Sequence, residues 1–213
     1  MTSSQEPCRL CQATADVYVE SRGRTFLQCS SCQSVQVAAQ HLPDAEREKT
    51  QYLTHNNDVD DPRYQAFVSP VTQAILAEQT ADKTGLDFGA GPGPVISHKL
   101  MQQGYKVTLY DPFFHNNINA LNETYDFIIS CEVIEHFHQP ALEFARLRAL
   151  LKPGGSLYCM TELFSEAVDF AGWYYKNDPT HVFFYHIDYL PRMAQRFGFS
   201  QFRQDGRLIV FSV

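Results

Sequence analysis

The sequence predicts an α/β protein: a doubly wound, mostly parallel sheet with an antiparallel last strand, preceded by a small N-terminal module built on four cysteines. Three observations carry this reading. Two Cys-x-x-Cys pairs open the chain, short apolar strands alternate with helical segments from Gly85 onward, and Asp205-Gly206 makes a tight turn between two final strands.

The cysteine module comes first. Cys8 and Cys11 are separated from Cys29 and Cys32 by about 17 residues, the spacing of four-thiolate zinc sites. Residues 16–19 and 25–28 read as strands around the turn Ser21-Arg22-Gly23-Arg24. Each Cys-x-x-Cys then sits on a tight turn and two thiolates from each complete a tetrahedron, the pattern of a zinc ribbon over residues 1–42. Four thiolates leave a Zn2+ ion no open position, so the site is expected to be structural.

Residues 42–62 are polar and rich in Asp, Glu, Asn and Gln, a linker with a short helix over 44–52. From 64 to 79, Phe67, Val71, Ile75 and Leu76 recur at helical spacing and predict a leading helix, so residues 43–83 join the module to a main domain over 84–213.

In that domain Gly85-Leu86-Asp87-Phe88 is the first strand, 95–103 a helix closed by Gly104, and 106–111 the second strand. A buried strand over 126–131, a helix over 141–151 and a strand over 156–161 follow. A helix over 187–197 leads to strands at 199–203 and 208–213. Only about a dozen residues separate Asp111 from the strand at Tyr125-Asp126, so a third strand with its helix is expected to be short or missing.

Bulk properties bound the function. The 213 residues carry a net charge of −7, which disfavours a general nucleic-acid binder, and 44% hydrophobic residues, enough for a true core. The first residues have no basic start and no apolar run, and no segment nears the roughly 20 apolar residues of a membrane span. A soluble cytoplasmic protein with no membrane partner is the expectation, and in that reducing setting cysteines are metal ligands or core thiols. Cys131 and Cys159, on apolar strands, read as buried thiols.

Gly89-Ala90-Gly91-Pro92-Gly93 lies between a strand and a helix, where the chain must turn sharply and let a ligand approach the backbone. Pro94 stands where a nicotinamide-binding G-x-G-x-x-G needs its last glycine, and no Gly-Lys-Ser/Thr follows, which excludes a phosphate-loop NTPase. Asp111, about 18 residues beyond Gly93, can accept hydrogen bonds from both ribose hydroxyls of an adenosine ligand. An Asp before Pro112 could also simply end its strand as a turn residue, but the joint occurrence of loop, helix, strand and acid favours the ribose role.

Together, Asp87-x-Gly89-x-Gly91-x-Gly93, Asp111, Glu132-Val133-Ile134-Glu135-His136 and Leu151-Lys152-Pro153-Gly154-Gly155 resemble the ordered motifs of the Rossmann-like class I S-adenosylmethionine-dependent methyltransferases, and within them the type 23 subset. The resemblance covers roughly residues 84–213. It implies S-adenosylmethionine as cofactor, with Gly89, Ala90, Gly91 and Gly93 along its methionine part, Asp87 at its amino end, Asp111 on the ribose, and Cys131 and Glu132 beside it.

Methyl transfer from a sulfonium depends on alignment, and an oxygen or amine acceptor must also lose a proton. Glu135, His136 and His181 are the candidate catalytic residues. Glu132, Glu135, His136 and His181 could also hold a second, divalent ion, an arrangement similar to the metal site of small-RNA 2′-O-methyltransferases and to the Glu-x-x-Glu-His segment of ubiquinone-pathway O-methyltransferases. Metal-assisted and metal-free base catalysis both stay open. Tyr52, His55, Asn56, Asn57, Tyr64 and Phe67 form a candidate lid that meets Trp173-Tyr174-Tyr175, although the aromatic residues there and at 183–185 equally suit core packing. The acceptor is expected to be a small molecule or sugar hydroxyl. An RNA methyltransferase docking through the ribbon is the alternative, against which the first 45 residues offer only Arg9, Arg22 and Arg24 as cations. A non-catalytic cofactor-binding homologue is a third reading.

Overall fold

The computed structural model describes residues 5–54 and 58–213. His55, Asn56 and Asn57 of the expected lid lie outside the described residues.

Strands β1 (Gln5–Pro7), β2 (Thr14–Ser21), β3 (Arg24–Cys29) and β4 (Val35–Val37) build the N-terminal module as antiparallel neighbours. The β2–β3 turn uses Arg22 and Gly23 at positive φ (51° and 74°), the left-handed pair a two-residue hairpin demands. Helix α1 (Ala45–Tyr52) is capped by Asp44, whose carboxylate accepts from the Arg47 backbone N–H at 2.9 Å.

The single leading helix expected over 64–79 is two, α2 (Pro62–Phe67) and α3 (Ser69–Glu78). Pro70, in the first turn of α3, has no N–H to continue the earlier helix. Val71 and Ile75 are buried, whereas Phe67 and Leu76 remain exposed.

The main sheet then begins. Strand β5 (Thr84–Phe88) is followed by α4 (Val95–Gln102), β6 (Lys106–Tyr110), β7 (Tyr125–Cys131), α5 (Pro140–Ala149) and β8 (Leu151–Met160). A short strand β9 (Phe183–Phe184), helix α6 (Leu190–Arg196), β10 (Gln201–Asp205) and β11 (Leu208–Ser212) complete the chain. The sheet order is β10-β11-β8-β7-β5-β6: β6, β5, β7 and β8 run parallel, and β11 is antiparallel to both neighbours. Between β6 and β7 the chain makes only a 3-10 turn (Ile118–Asn122), so β6 is the sheet edge and no third strand follows it. Gly85 lets β5 sit close to its neighbour, since a Cβ there would meet the Phe127 ring at 2.3 Å.

The two sheets are not independent. β9 pairs antiparallel with β4 (Val35↔Phe184, Gln36↔Phe183) and becomes the fifth strand of the N-terminal sheet. One buried cluster contains Cys8, Leu10, Leu27 and Cys29 of the module with Leu86, Ile128, Leu157 and Phe211 of the main sheet. A second aromatic cluster joins Phe26 and Val37 to Phe164, Phe170, Tyr175 and Phe184, with Trp173 packed on it. No helix among the described residues is long and apolar enough to cross a membrane.

Candidate functional site

The carboxyl ends of β5, β6 and β7 open into a cavity of about 850 Å³. Ligands of open parallel sheets bind at this edge, because strand ends and the helix starts that follow leave backbone groups unpaired. The expected cofactor residues Asp87, Gly89, Ala90, Gly91, Gly93, Asp111, Cys131 and Glu132 all line it, as do His136 and His181.

The glycine loop has its form for a steric reason. Gly89 (φ 86°) and Gly91 (φ 61°) occupy the left-handed region, and a Cβ on Gly89 would meet the methyls of Val133 at 2.5 and 2.6 Å. The N–H groups of Gly89 and Ala90 both donate to the Tyr110 carbonyl, 2.8 and 3.1 Å away, which pins the loop over β6. Asp111 is buried and holds both sides of this corner. Its Oδ2 accepts from the Gly91 N–H at 3.0 Å, and its Oδ1 accepts from the N–H groups of Phe113 and Phe114 at 2.8 and 3.0 Å. The turn role and the cavity-facing role thus belong to one carboxylate. Oδ2, with one protein donor, keeps acceptor capacity for a ligand hydroxyl.

Asp87 is buried below the loop and accepts from Ser97 Oγ at 2.5 Å. Burial pushes its carboxyl up to about 6, the Ser97 hydrogen bond opposing this and the Asp111 charge adding to it.

After β7 the chain turns through Glu132, which takes positive φ (55°), an uncommon conformation for a residue with a Cβ and one that clusters at functional sites. Its Oε2 accepts from Arg207 Nη2 at 2.6 Å, while Oε1 is buried with no hydrogen-bond partner among the described residues. Burial and the nearby Glu135 push the Glu132 carboxyl up, against the pull of Arg207. Arg207 itself comes from the turn between β10 and β11. Its guanidinium lies 4.8 Å from the Phe67 ring centroid and 5.8 Å from that of Tyr175, and its Nε is 3.4 Å from Glu162. Burial and the Glu132 charge push the Cys131 thiol well up, and Cys159 is fully buried and likewise raised, so neither suits nucleophilic attack.

A 3-10 turn (Ile134–His136) carries the next two residues, Glu135 and His136. Glu135 points inward and is fully buried; its Oε1 accepts from the Tyr175 hydroxyl at 2.5 Å and its Oε2 has no partner among the described residues. His136 faces the cavity, with Nδ1 2.9 Å from the Thr180 carbonyl. His181 arrives from the segment before β9, with Nδ1 2.7 Å from the Tyr175 carbonyl and Nε2 4.0 Å from Glu135 Oε1. A carbonyl can only accept, so in both rings Nδ1 carries the proton and the neutral ring keeps a bare lone pair on Nε2. Burial, with His136 beside it, lowers His181 to about 4 and keeps it neutral near pH 7.

The four-residue set read from the sequence therefore divides. Glu135, His136 and His181 bring one ligand-type atom each within 4.8 Å of one another, whereas Glu132 turns to Arg207. Two imidazoles fixed through Nδ1 and one carboxylate oxygen without a partner form a donor set suited to a divalent transition metal. Tyr52, Tyr64, Phe67, Tyr174 and Tyr175 line the mouth and wall of the cavity, Tyr52 packing edge-on to His136 at 5.2 Å and tilted on Phe113 at 5.7 Å. Trp173 packs in the core cluster instead, so the expected aromatic wall is Tyr174-Tyr175 without it. Arg207 was not legible as a site residue: Asp205-Gly206 marks the turn, but nothing in the sequence says which loop it faces.

The four cysteines meet away from the cavity. Cys8 Sγ lies 3.6 Å from Cys32 Sγ and Cys11 Sγ 3.4 Å from Cys29 Sγ, near the edge of about 3.8 Å expected of a tetrahedron with Zn–S bonds of about 2.3 Å.

Against known proteins, residues 61–202 match the family model described as "Methyltransferase domain". Ubiquinone biosynthesis O-methyltransferases from Serratia proteamaculans and Vibrio parahaemolyticus are each 30% identical over 86 residues, 40% of this chain and 36% and 37% of theirs. The matched segment thus spans little more than a third of these curated relatives. Among solved structures, Burkholderia thailandensis 1,6-didemethyltoxoflavin-N1-methyltransferase, with 1,6-didemethyltoxoflavin and S-adenosylhomocysteine bound, superposes with a TM-score of 0.58 at 16% identity, over 92% of this chain and 96% of that one. Human N-acetylserotonin methyltransferase in complex with S-adenosylmethionine gives 0.54 at 14%, over 80% and 60%. At these identities the structural likeness is one of fold.

Proposed function

Because the chain belongs to the methyltransferase domain family, we propose that it transfers a methyl group from S-adenosylmethionine to the hydroxyl of a small molecule. The observation that carries this reading is the meeting, in one cavity, of the glycine loop and Asp111 with the bare Nε2 atoms of His136 and His181.

The cavity fits the cofactor by the space that Gly89 leaves and by the acceptor capacity of Asp111. When bound, S-adenosylmethionine supplies an electrophilic methyl group on a sulfonium. The chain's own residues do the rest. Residues 89–93 admit the ligand to backbone contact, Asp87 faces its amino end, and Asp111 accepts from the ribose. Tyr52, Phe113, Tyr174 and Tyr175 exclude water from the acceptor side. His136 or His181 takes the acceptor proton at Nε2, and Glu135, 4.0 Å from the His181 ring, stabilises the positive charge that forms on the imidazole pair.

A second reading rests on the orphan Oε2 of Glu135. A buried carboxylate oxygen without a donor is costly unless a cation or water meets it, and Glu135, His136 and His181 would hold a divalent ion that lowers the pKa of the acceptor hydroxyl. Cys8, Cys11, Cys29 and Cys32 would hold a structural Zn2+ ion.

Calorimetry with S-adenosylmethionine and S-adenosylhomocysteine tests the cofactor, and a screen of phenolic, sugar and aliphatic hydroxyl compounds for methylated product tests the reaction. Binding of neither nucleoside ends the proposal. Activity that survives chelation, with about one zinc retained, favours the histidine base over the divalent ion.

A further inference from the structure

We infer that the cysteine module sets the acceptor side of the cavity, with Arg9 and Arg24 as the positioning residues through which it holds His181 and Glu135. The consequence for turnover rests on the methyltransferase reading; the geometric claim does not.

Arg9 lies between Cys8 and Cys11, so the first cysteine turn fixes where it points. Its side chain is buried, and its two terminal nitrogens each donate at 2.7 Å, Nη1 to the Val37 carbonyl and Nη2 to the Val182 carbonyl. The same Val182 carbonyl accepts from the Val37 N–H at 2.9 Å, and the Val182 N–H donates to the Glu135 carbonyl at 2.9 Å. Val182 therefore joins three things: the module's strand β4, the buried guanidinium, and the turn that carries Glu135 and His136. It is also the residue after His181.

Arg24, at the start of β3, clamps the other flank. Its Nη1 lies 3.3 Å from the carbonyls of both Pro179 and His181, and its Nη2 donates to the Lys176 carbonyl. The Ser34 hydroxyl accepts from the His186 N–H at 3.1 Å beyond β9. From Lys176 to His186 the segment that presents His181 is tied to module residues at every few positions. The glycine loop and Asp111, by contrast, are held by β6 and by each other. The module thus has a grip on the acceptor side and none of these bonds to the cofactor side.

The test uses the full chain labelled with 15N-histidine. Imidazole signals are assigned with His136→Gln and His181→Gln, then followed in Arg9→Gln, Arg9→Lys and Arg24→Gln, alongside S-adenosylhomocysteine affinity, zinc content and methyl transfer. The expected result is that Arg9→Gln and Arg24→Gln displace the His181 signals and lower kcat at least tenfold, with the dissociation constant for S-adenosylhomocysteine changed less than threefold. A lysine ammonium lacks the planar fork by which two guanidinium nitrogens each meet a carbonyl, so Arg9→Lys recovers only part of the shift. Unmoved His181 signals in both glutamine variants overturn the inference. So does an equal loss of cofactor affinity, which would mean a general loss of structure. Should Arg9→Gln not fold, the more peripheral Arg24→Gln decides. Failure of the methyltransferase reading shows separately, as a wild-type protein that does not bind S-adenosylhomocysteine while its histidine signals still respond to Arg9.

Discussion

The rings of His136 and His181 stand edge to face with centroids 4.8 Å apart, each tied by Nδ1 to a backbone carbonyl of the segment 175–180. Neither ring can turn its protonated nitrogen toward the cavity without losing that bond. The pair is therefore preset as two acceptors. Replacing either by Gln is expected to lower kcat by about 10²–10⁴, the range of a positioned acid or base. S-adenosylhomocysteine affinity should stay within a few-fold. Calorimetry with single-turnover kinetics separates the two; a loss confined to cofactor affinity would move the histidines out of the chemistry.

Stability against pH carries opposite signatures from two buried groups. His181 has a folded pKa of about 4 against an ordinary 6.5, so the unfolded chain takes the proton first. Its contribution is full above pH 6.5 and is lost as pH falls toward 4, on the order of 3 kcal/mol. Asp87 goes the other way: raised from 3.8 to about 6, it is protonated first in the folded state, and its burial costs a similar amount as pH rises through 6. Denaturant titrations from pH 4 to 7 should show Asp87→Asn gaining on wild type as pH rises, and His181→Phe falling behind it. Parallel curves would mean that neither group is desolvated as the packing implies.

Cofactor binding should depend on Asp87 ionisation. With its carboxyl at about 6, affinity for S-adenosylhomocysteine rises with pH up to that value, approaching tenfold per unit below it, and then levels. Asp87→Asn should flatten the profile at a weaker affinity.

Asp111→Ala removes a charged acceptor and releases the N–H groups of Gly91, Phe113 and Phe114 together, so affinity should fall by more than tenfold. Gly89→Ala adds a methyl at φ 86° against Val133 and should cost about 1–3 kcal/mol in stability, as well as binding. Thermal melting and calorimetry check both, and an unaffected Asp111→Ala would misplace the ribose.

Metal removal should act first on structure. Purified protein is expected to carry about one zinc, and stripping it with a strong chelator should lower the melting temperature by several degrees, because the folded four-thiolate site binds what the unfolded chain binds weakly. Cys29→Ser should reproduce the loss. Protein that purifies without zinc and melts identically with chelator would leave the cysteines as ordinary thiols.

Much of this was legible in the sequence because local signals agreed with the final contacts. The strand at Gly85, the glycine loop, Asp111 and the final hairpin, whose turn falls at Gly206-Arg207, one residue after the Asp205-Gly206 expected, are each set by local backbone requirements. The short excursion after Asp111 likewise foretold the absent third strand. Other features depend on distant partners. Phe183-Phe184 is too short to announce a strand, and becomes one only because Val35–Val37 offers an open edge. Glu132 shares helical spacing with Glu135, yet its positive φ swings it to Arg207, which sits 75 positions away in the chain. Pro70 divided a helix that apolar spacing alone had joined.

The pairing of β4 with β9 also bears on how the chain comes to be folded. The strand that completes the sheet of the four cysteines is synthesised about 150 residues after them. A contact of such sequence separation closes a long loop and forms late, so the module's last edge stays open while the main sheet assembles. Until β9 is made, β4 is a strand edge open to pairing with another chain, and the segment that closes it is the one that carries His181.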